Sequence, residues 1–415
     1  MKTIKFSPDK LLEKTQLIDN TEDLAKFFKQ INKAAVIAVD VESAAFYKYY
    51  ARINLIQIAT DKHAAILDPQ KITDFTPFKD FVAKSKAVWL VHGGEYDIAM
   101  LATDLSICIH NICDIKKAAE LMGYDQLGLS ALSERFLGFK LDKKLQRCDW
   151  SKRPLTDAMK RYAILDSICL VPIYKCIKDE IAKAGRTKWL KEESDKVAEK
   201  ACNTQPQKPD PYAFLIKGSN RLGKRGLAIL RSVWNFREDL AKKMDRAPFM
   251  ILTNKDLLDI ARQAPKSMAG LAAVTQVNEK FLKKHGAALQ KAIKEGASAS
   301  LTDLERPNGR YKPHEVPLTA WEGMLLASLK EIRVELANKL GISPGVLVSS
   351  QALYEIVREK PETLGELIQS EIVHEWQARE IAASMLPVLQ QEPPASAKKK
   401  KRRTRRKEQG VGRRE

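Results

Sequence analysis

The stretch Ala34-Ala-Val-Ile-Ala-Val-Asp40-Val-Glu42-Ser43, continued by Asn54-Leu-Ile-Gln-Ile-Ala-Thr60, decides how the chain is read. Residues 34–39 are apolar and partly β-branched, long enough for a buried strand and short for a helix. Asp40 and Glu42 follow two residues apart, and on an extended chain that spacing turns both side chains to one face. A second β-like run, 55–59, returns after Tyr47, Tyr49 and Tyr50, so a hairpin is the simplest connection. Two carboxylates side by side at the end of a buried strand repel each other and lose hydration, a cost that an intervening cation removes. A strand ending in polar turn residues carries the same letters, so the pair needs partners elsewhere in the chain.

Working outward, residues 1–33 read as an approach strand and a helix capped by Asn20 or Thr21. Residues 64–67 form a short strand stopped by Pro69, 75–83 a helix, and 87–91 a further strand. That strand runs into His92-Gly-Gly-Glu-Tyr-Asp97, where the glycine pair turns the chain and Glu95 opens a helix. Asp97 is thereby placed at a strand end and a helix start, where open α/β sheets gather ligands. Residues 127–138 read as a helix stopped by Gly138, and 140–153 as a basic loop containing Trp150, Lys152 and Arg153. A cationic loop with one aromatic suits a phosphate contact with a base stacked nearby; a surface loop pinned by one buried Trp has the same composition. The next helix starts near Thr156 and carries Tyr162 and Asp166 on one face. Asp166 lies between apolar runs and has no basic residue within one turn on its C-terminal side. A metal is the economical partner.

Assembled in this order, the residues resemble the Asp-Glu-Asp-Asp exonucleases of the tyrosine subtype, and within them the ribonuclease D family. The motifs are Asp40-Val-Glu42 with Leu55-Ile-Gln-Ile58, His92-Gly-Gly-Glu-Tyr-Asp97, and Tyr162-Ala-Ile-Leu-Asp166 preceded by Asp149-Trp-Ser-Lys-Arg-Pro-Leu155. The resemblance implies an α/β RNase-H-like domain, a mixed sheet flanked by helices, acting as a two-metal 3′→5′ exonuclease. It makes Asp40, Glu42, Asp97 and Asp166 the metal ligands and gives Tyr162 the positioning of the attacking water. Ser43 departs from the pattern, which leads one to expect a bulkier apolar residue or Thr. The chemistry is coherent by itself: two ions about 4 Å apart activate a water and neutralise a leaving oxygen. Hard Mg²⁺ or Mn²⁺ suits an all-carboxylate set. His92 is expected to be a hydrogen-bonder near the site, and Trp150, Lys152 and Arg153 to meet the substrate.

The second half is helical and duplicated. Arg237-Glu-Asp-Leu-Ala-Lys-Lys with Pro248, Leu257, Ile260, Pro265 and Leu271 recurs as Arg333-Val-Glu-Leu-Ala-Asn-Lys with Pro344, Leu353, Ile356, Pro361 and Leu367, at a constant offset. Trp234-Asn-Phe-Arg-Glu and Ala247-Pro-Phe-Met-Ile-Leu resemble the HRDC module, which implies nucleic-acid binding or positioning; the second copy is a more diverged member. The expected organisation is an exonuclease domain over 1–200, a linker over 201–218 and a first HRDC bundle over 219–300. A linker over 301–316, a second bundle over 317–391 and a disordered basic tail over 392–415 complete it.

A chain of 415 residues exceeds one ordinary core. Its longest apolar runs fall far short of a membrane span, and its first residues lack a signal-peptide core, so a cytoplasmic protein is expected. Net charge is +19, and the stretch 398–415 carries eleven Lys/Arg against two Glu. Such a tail reads as non-specific phosphate attraction, with a polyanion as partner. The six cysteines form no Cys-x-x-Cys pair and read as reduced thiols, neither a disulfide framework nor a zinc site. The expected substrate is RNA, with tRNA precursors implied by the resemblance. A DNA exonuclease would use the same carboxylates, and a non-catalytic scaffold would not need all four.

Overall fold

The computed structural model describes residues 4–204, 210–276, 279–304 and 317–393. In chain order the first elements are α1 (Asp9–Glu13), β1 (Gln16–Ile18), α2 (Thr21–Gln30), β2 (Val36–Ser43), β3 (Ile53–Ala59), β4 (Ala64–Leu67) and α3 (Thr76–Lys84). They continue as β5 (Val88–Val91), α4 (Glu95–Leu105), β6 (Ile112–Asp114), α5 (Ile115–Leu121), α6 (Leu129–Leu137), α7 (Asp157–Lys183) and α8 (Thr187–Cys202). The strands form one mixed sheet in the order β1-β4-β3-β2-β5-β6, with β3 antiparallel to both its neighbours.

The hairpin read from the sequence is β2–β3, and it sets the register of the site: Asp40 lies opposite Gln57 and Glu42 opposite Leu55. The strand does not stop at residue 39 as its apolar run does. It continues to Ser43, with the register shifting only between Glu42 and Ser43. Ladder hydrogen bonds from β3 hold this backbone extended whatever the side chains are, so apolar content marks the buried part of a strand rather than its end. Alternation then divides β2. Ile37, Val39 and Val41 enter the core beneath α2, α3 and α4, while Ala38 packs toward α7. Asp40 and Glu42 share the parity of Ala38 and so face α7.

Helix ends follow local chemistry. Asn20 caps α2 by accepting from the Asp23 amide at 2.9 Å, Thr156 caps α7, and Gly138 ends α6 at φ 81°. The short strand β6 escaped the sequence reading. Three residues are too few to show a period, and only pairing with β5 holds them extended.

Two helical bundles follow: α9 (Lys224–Met244), α10 (Asn254–Gln263), α11 (Met268–Val274) and α12 (Glu279–Ser298), then α13 (Ala320–Leu340), α14 (Pro344–Leu347), α15 (Ser350–Glu359), α16 (Leu364–Gln369) and α17 (Glu375–Leu389). The repeat extends to single atoms. Arg237 Nη1 donates to the Leu252 carbonyl and Asn254 Oδ1, and Arg333 Nη1 to the Val348 carbonyl and Ser350 Oγ, each partner 96 positions on. Left-handed turns at Asp245 and Ala264 return at Gly341 and Lys360 with the same offset. The connector around residues 306–313 and the basic tail from residue 394 lie outside the described residues. Among the described residues no helix is long and apolar enough to cross a membrane.

Both bundles dock on the sheet domain. The Ala247 amide donates to the Tyr47 carbonyl at 2.9 Å, and Phe46 meets Phe249 at 5.1 Å between ring centroids. On the other side Trp189 stacks on Trp376 at 4.4 Å, while Glu192 accepts from the Glu375 and Trp376 amides at the start of α17. Gly123, at φ 67°, abuts this second contact: a Cβ there would lie 1.9 Å from the Gly341 carbonyl oxygen. One expectation fails outright. Cys108 and Cys202 are joined as a disulfide, their Cα atoms 5.5 Å apart across 94 residues of sequence. Only the return of α8 alongside α4 brings them together, which no spacing rule reveals.

Candidate active site

Four carboxylates from three elements converge at one end of the sheet. Asp40 and Glu42 come from β2, Asp97 from the first turn of α4, and Asp166 from α7, which packs across β2 and β3. The α4 start is held by Asp114, whose carboxylate accepts from the Gly93 and Gly94 amides at 2.9 and 3.2 Å and from Lys116 at 2.9 Å. Gly94 is required there, because a Cβ would lie 2.4 Å from Val91 Cβ.

None of the four carboxylates has an ion-pair partner among the described residues. Burial pushes Asp40 up to about 6. Burial, and then the charges of Asp40, Asp166 and Asp97, push Glu42 up to about 9. Burial and Asp40 lift Asp166 to about 8, against the opposing charge of Lys143, and burial, Asp40 and Asp114 hold Asp97 well above the usual carboxylate range. All four side chains nevertheless keep a partly accessible rim. Acids that are desolvated, mutually repelling and open to a solute make a cation basin.

The fit to divalent ions has a second support. Gln57, opposite Asp40 and therefore on its face, is fully buried with neither amide atom partnered by protein. No three of the carboxylates bring oxygens within 4.8 Å of one another, a basin wider than a single ion's clasp. Oxygen-only donors select hard ions.

Because these acids hold more protons folded than unfolded between about pH 4 and about pH 9, stability falls as pH rises through that window. A bound divalent ion replaces those protons. Mn²⁺ or Mg²⁺ is therefore expected to raise the melting temperature by about 5 °C or more at about pH 8, and by much less at about pH 5. Differential scanning calorimetry with and without EDTA measures this, and equal shifts at both pH values would remove the carboxylates as the binding groups.

The remaining expectations divide. Tyr162 sits partly buried beside the basin, and burial followed by the charges of Asp166, Glu42 and Asp40 raises its phenol, which stays protonated at neutral pH. Trp150 is not a base-stacking residue: it is fully buried, 5.9 Å from the Tyr162 ring, which it supports from beneath. Arg153 is not free for phosphate either. Its Nε and Nη2 grip both oxygens of buried Asp68 at 2.7 and 2.8 Å, and its other donors bind the Asn54 and Trp150 carbonyls. That network ties the basic loop to β3. Lys152 alone of the three is exposed with no ion pair among the described residues. His92 is largely buried, its proton affinity lowered by that burial, and its Nδ1 lacks a protein partner.

Asp114, Gln57 and Lys143 were missed by sequence reasoning. The only local signals were a helix cap, a polar letter in an apolar strand and one lysine among several.

Comparison with known proteins fits this geometry. A 3′-5′ exonuclease family model matches residues 15–182, and an HRDC domain model matches 226–293 and 322–389. Ribonuclease D of Desulfotalea psychrophila is 26% identical over 349 residues, covering 84% of this chain and 91% of that protein. Ribonuclease D of Bartonella henselae is 27% identical over 346 residues, covering 82% and 83%. Among solved structures, a protein from Bifidobacterium adolescentis shares the fold with TM-score 0.77 at 20% identity, over 91% of this chain and 97% of that one. Escherichia coli RNase D does so with TM-score 0.64 at 22% identity, over 91% and 99%. Sheet, carboxylates and paired bundles thus define a 3′→5′ exonuclease with two HRDC domains. The chain is a 3′→5′ exoribonuclease, similar to the ribonucleases D over more than four-fifths of its length. Exonucleases of the type that this family model describes are in general dependent on divalent metal ions.

Proposed function

We propose that this exoribonuclease trims the 3′ ends of structured RNA precursors, tRNA among them, with two Mg²⁺ or Mn²⁺ ions held by Asp40, Glu42, Asp97 and Asp166. The single observation that carries the metal assignment is a basin of four unpaired, desolvated carboxylates that raise one another's proton affinity. When bound, two such ions supply water activation and neutralise charge on the leaving oxygen. The chain's own residues do the rest. Tyr162, kept protonated, donates a hydrogen bond and orients the nucleophile rather than serving as its base. Gln57 offers an amide in the same enclosed space. Lys143, whose charge reaches Asp166, and exposed Lys152 sit on the loop over which an RNA backbone would pass. The RNA assignment draws support from the ribonuclease D relatives, and E. coli RNase D is described as an exoribonuclease involved in structured RNA processing.

The test is a time course on 5′-labelled RNA and DNA of identical sequence, each with Mg²⁺, Mn²⁺ or EDTA. Stepwise shortening of the RNA from its 3′ end, abolished by EDTA, is expected. Equal shortening of DNA would overturn the RNA assignment, and activity in EDTA would overturn the metal one. Tyr162→Phe is expected to lower kcat roughly 100-fold with KM within about twofold and the pH profile unmoved. A changed pH profile would make the phenol a base.

A further inference from the structure

The chain leaving α4 alternates. Ile107 and Ile109 are buried in the core beneath α8, so Cys108 and His110 face the opposite way. Helix α8 ends at Cys202 against this stretch. The sulfurs of Cys108 and Cys202 and a ring nitrogen of His110 all lie within 4.8 Å of one another, and Cys108 Sγ is 3.3 Å from His110 Nε2. We propose that, with both thiols reduced, Cys108, His110 and Cys202 form a site for one borderline-soft divalent transition ion, Zn²⁺ being the type, with the fourth position open to solvent.

The geometry suits that ion. Tetrahedral zinc with bonds of about 2.3 Å to sulfur and about 2.05 Å to nitrogen places ligand atoms about 3.5–3.8 Å apart. The sulfur–nitrogen separation of 3.3 Å is close to this, and Cα atoms 5.5 Å apart leave room for a shared ion as well as for a disulfide. The two forms are alternative states of one cysteine pair. Two equivalents of an external thiol reduce the disulfide, giving two cysteine thiols and the oxidised reductant. Binding of the ion then releases both thiol protons to solvent. The donor set separates this site from the catalytic basin: two sulfurs and an imidazole select zinc-like ions, whereas an oxygen-only basin selects Mg²⁺ or Mn²⁺. His110 is exposed, leaving one side open to water. The ion would fasten the last residue of α8, from which the chain departs toward the HRDC bundles, to the loop that enters β6.

Full-length protein, reduced with a phosphine and freed of metal, is titrated with Co²⁺ alone. One equivalent is expected to give thiolate-to-cobalt charge transfer in the near ultraviolet and tetrahedral bands in the visible, displaced by one equivalent of Zn²⁺. Cys202→Ser should abolish the charge transfer, His110→Ala should weaken Zn²⁺ binding more than about 100-fold, and Asp40→Asn should keep the spectrum intact. Protein left oxidised should bind none. Absence of a thiolate band in the reduced wild type, or its survival in Cys202→Ser, would overturn the site. Should a variant misfold, alkylation of the wild type decides: Zn²⁺ should protect Cys108 and Cys202 from iodoacetamide, and unchanged labelling of both would overturn the proposal.

Discussion

Asp40→Asn is expected to lower turnover of single-stranded RNA by at least about 1000-fold while RNA affinity stays within about threefold of wild type. The substitution keeps the shape of the side chain and removes one charge from the middle of the basin. Asp40 contributes to the raised proton affinity of Glu42, Asp97 and Asp166 alike, so it is the carboxylate nearest to all the others in electrostatic reach. On the two-metal proposal its loss removes a ligand of the reacting centre, and an effect of several kcal/mol on the transition state corresponds to three or more decades in rate. RNA affinity should survive because polyanion binding rests on basic side chains rather than on acids, and removing a negative charge repels RNA less. The folded protein should be no less stable than wild type, since an unpaired buried charge has been deleted. Asp166→Asn should behave likewise. Turnover within tenfold of wild type in either variant, measured in single-turnover reactions, would dismiss the two-metal assignment.

The second large effect is on stability. Arg153→Met is expected to cost about 3–5 kcal/mol and lower the first thermal transition by about 10 °C. Asp68 is buried, and its carboxylate faces the Arg153 guanidinium at 2.7 and 2.8 Å in a two-point grip. Removing the arginine strands that charge and leaves the Asn54 carbonyl short of a donor. Arg153→Lys should recover only part of the loss, because an ammonium cannot reproduce the fork. Adding Asp68→Leu to Arg153→Met should recover more, since an apolar pair avoids the orphaned charge. Calorimetry measures all four proteins. RNA affinity at low temperature provides the control: a large loss of binding with little loss of stability would mark Arg153 as a substrate contact after all.

These two residues show how far the letters carry. Asp40 and Glu42 were legible because side-chain direction along a strand follows from spacing alone. Tyr162 and Asp166 were legible because one helical turn separates them, and Gly93–Gly94 because a sharp turn out of a strand calls for glycine. The HRDC repeat was legible for a similar reason: its caps and turns recur every 96 residues, and each is a local device. Trp150 and Arg153 were misread because a basic loop with one aromatic has the same composition whether it faces solvent or the core.

The sequence by itself therefore determined the order of the strands and helices that carry the acids, the shared faces of Asp40 with Glu42 and of Tyr162 with Asp166, and the duplication of the C-terminal bundle. All of these rest on interactions within a turn or a strand. Tertiary structure alone decided that Arg153 answers Asp68 across 85 residues, that Trp150 supports Tyr162, and that Asp114 holds the start of α4. It also decided that Cys108 and Cys202 meet. Burial and charge pairing between distant segments depend on how the elements pack, and that packing is a collective minimum over the whole chain, which no window of residues contains.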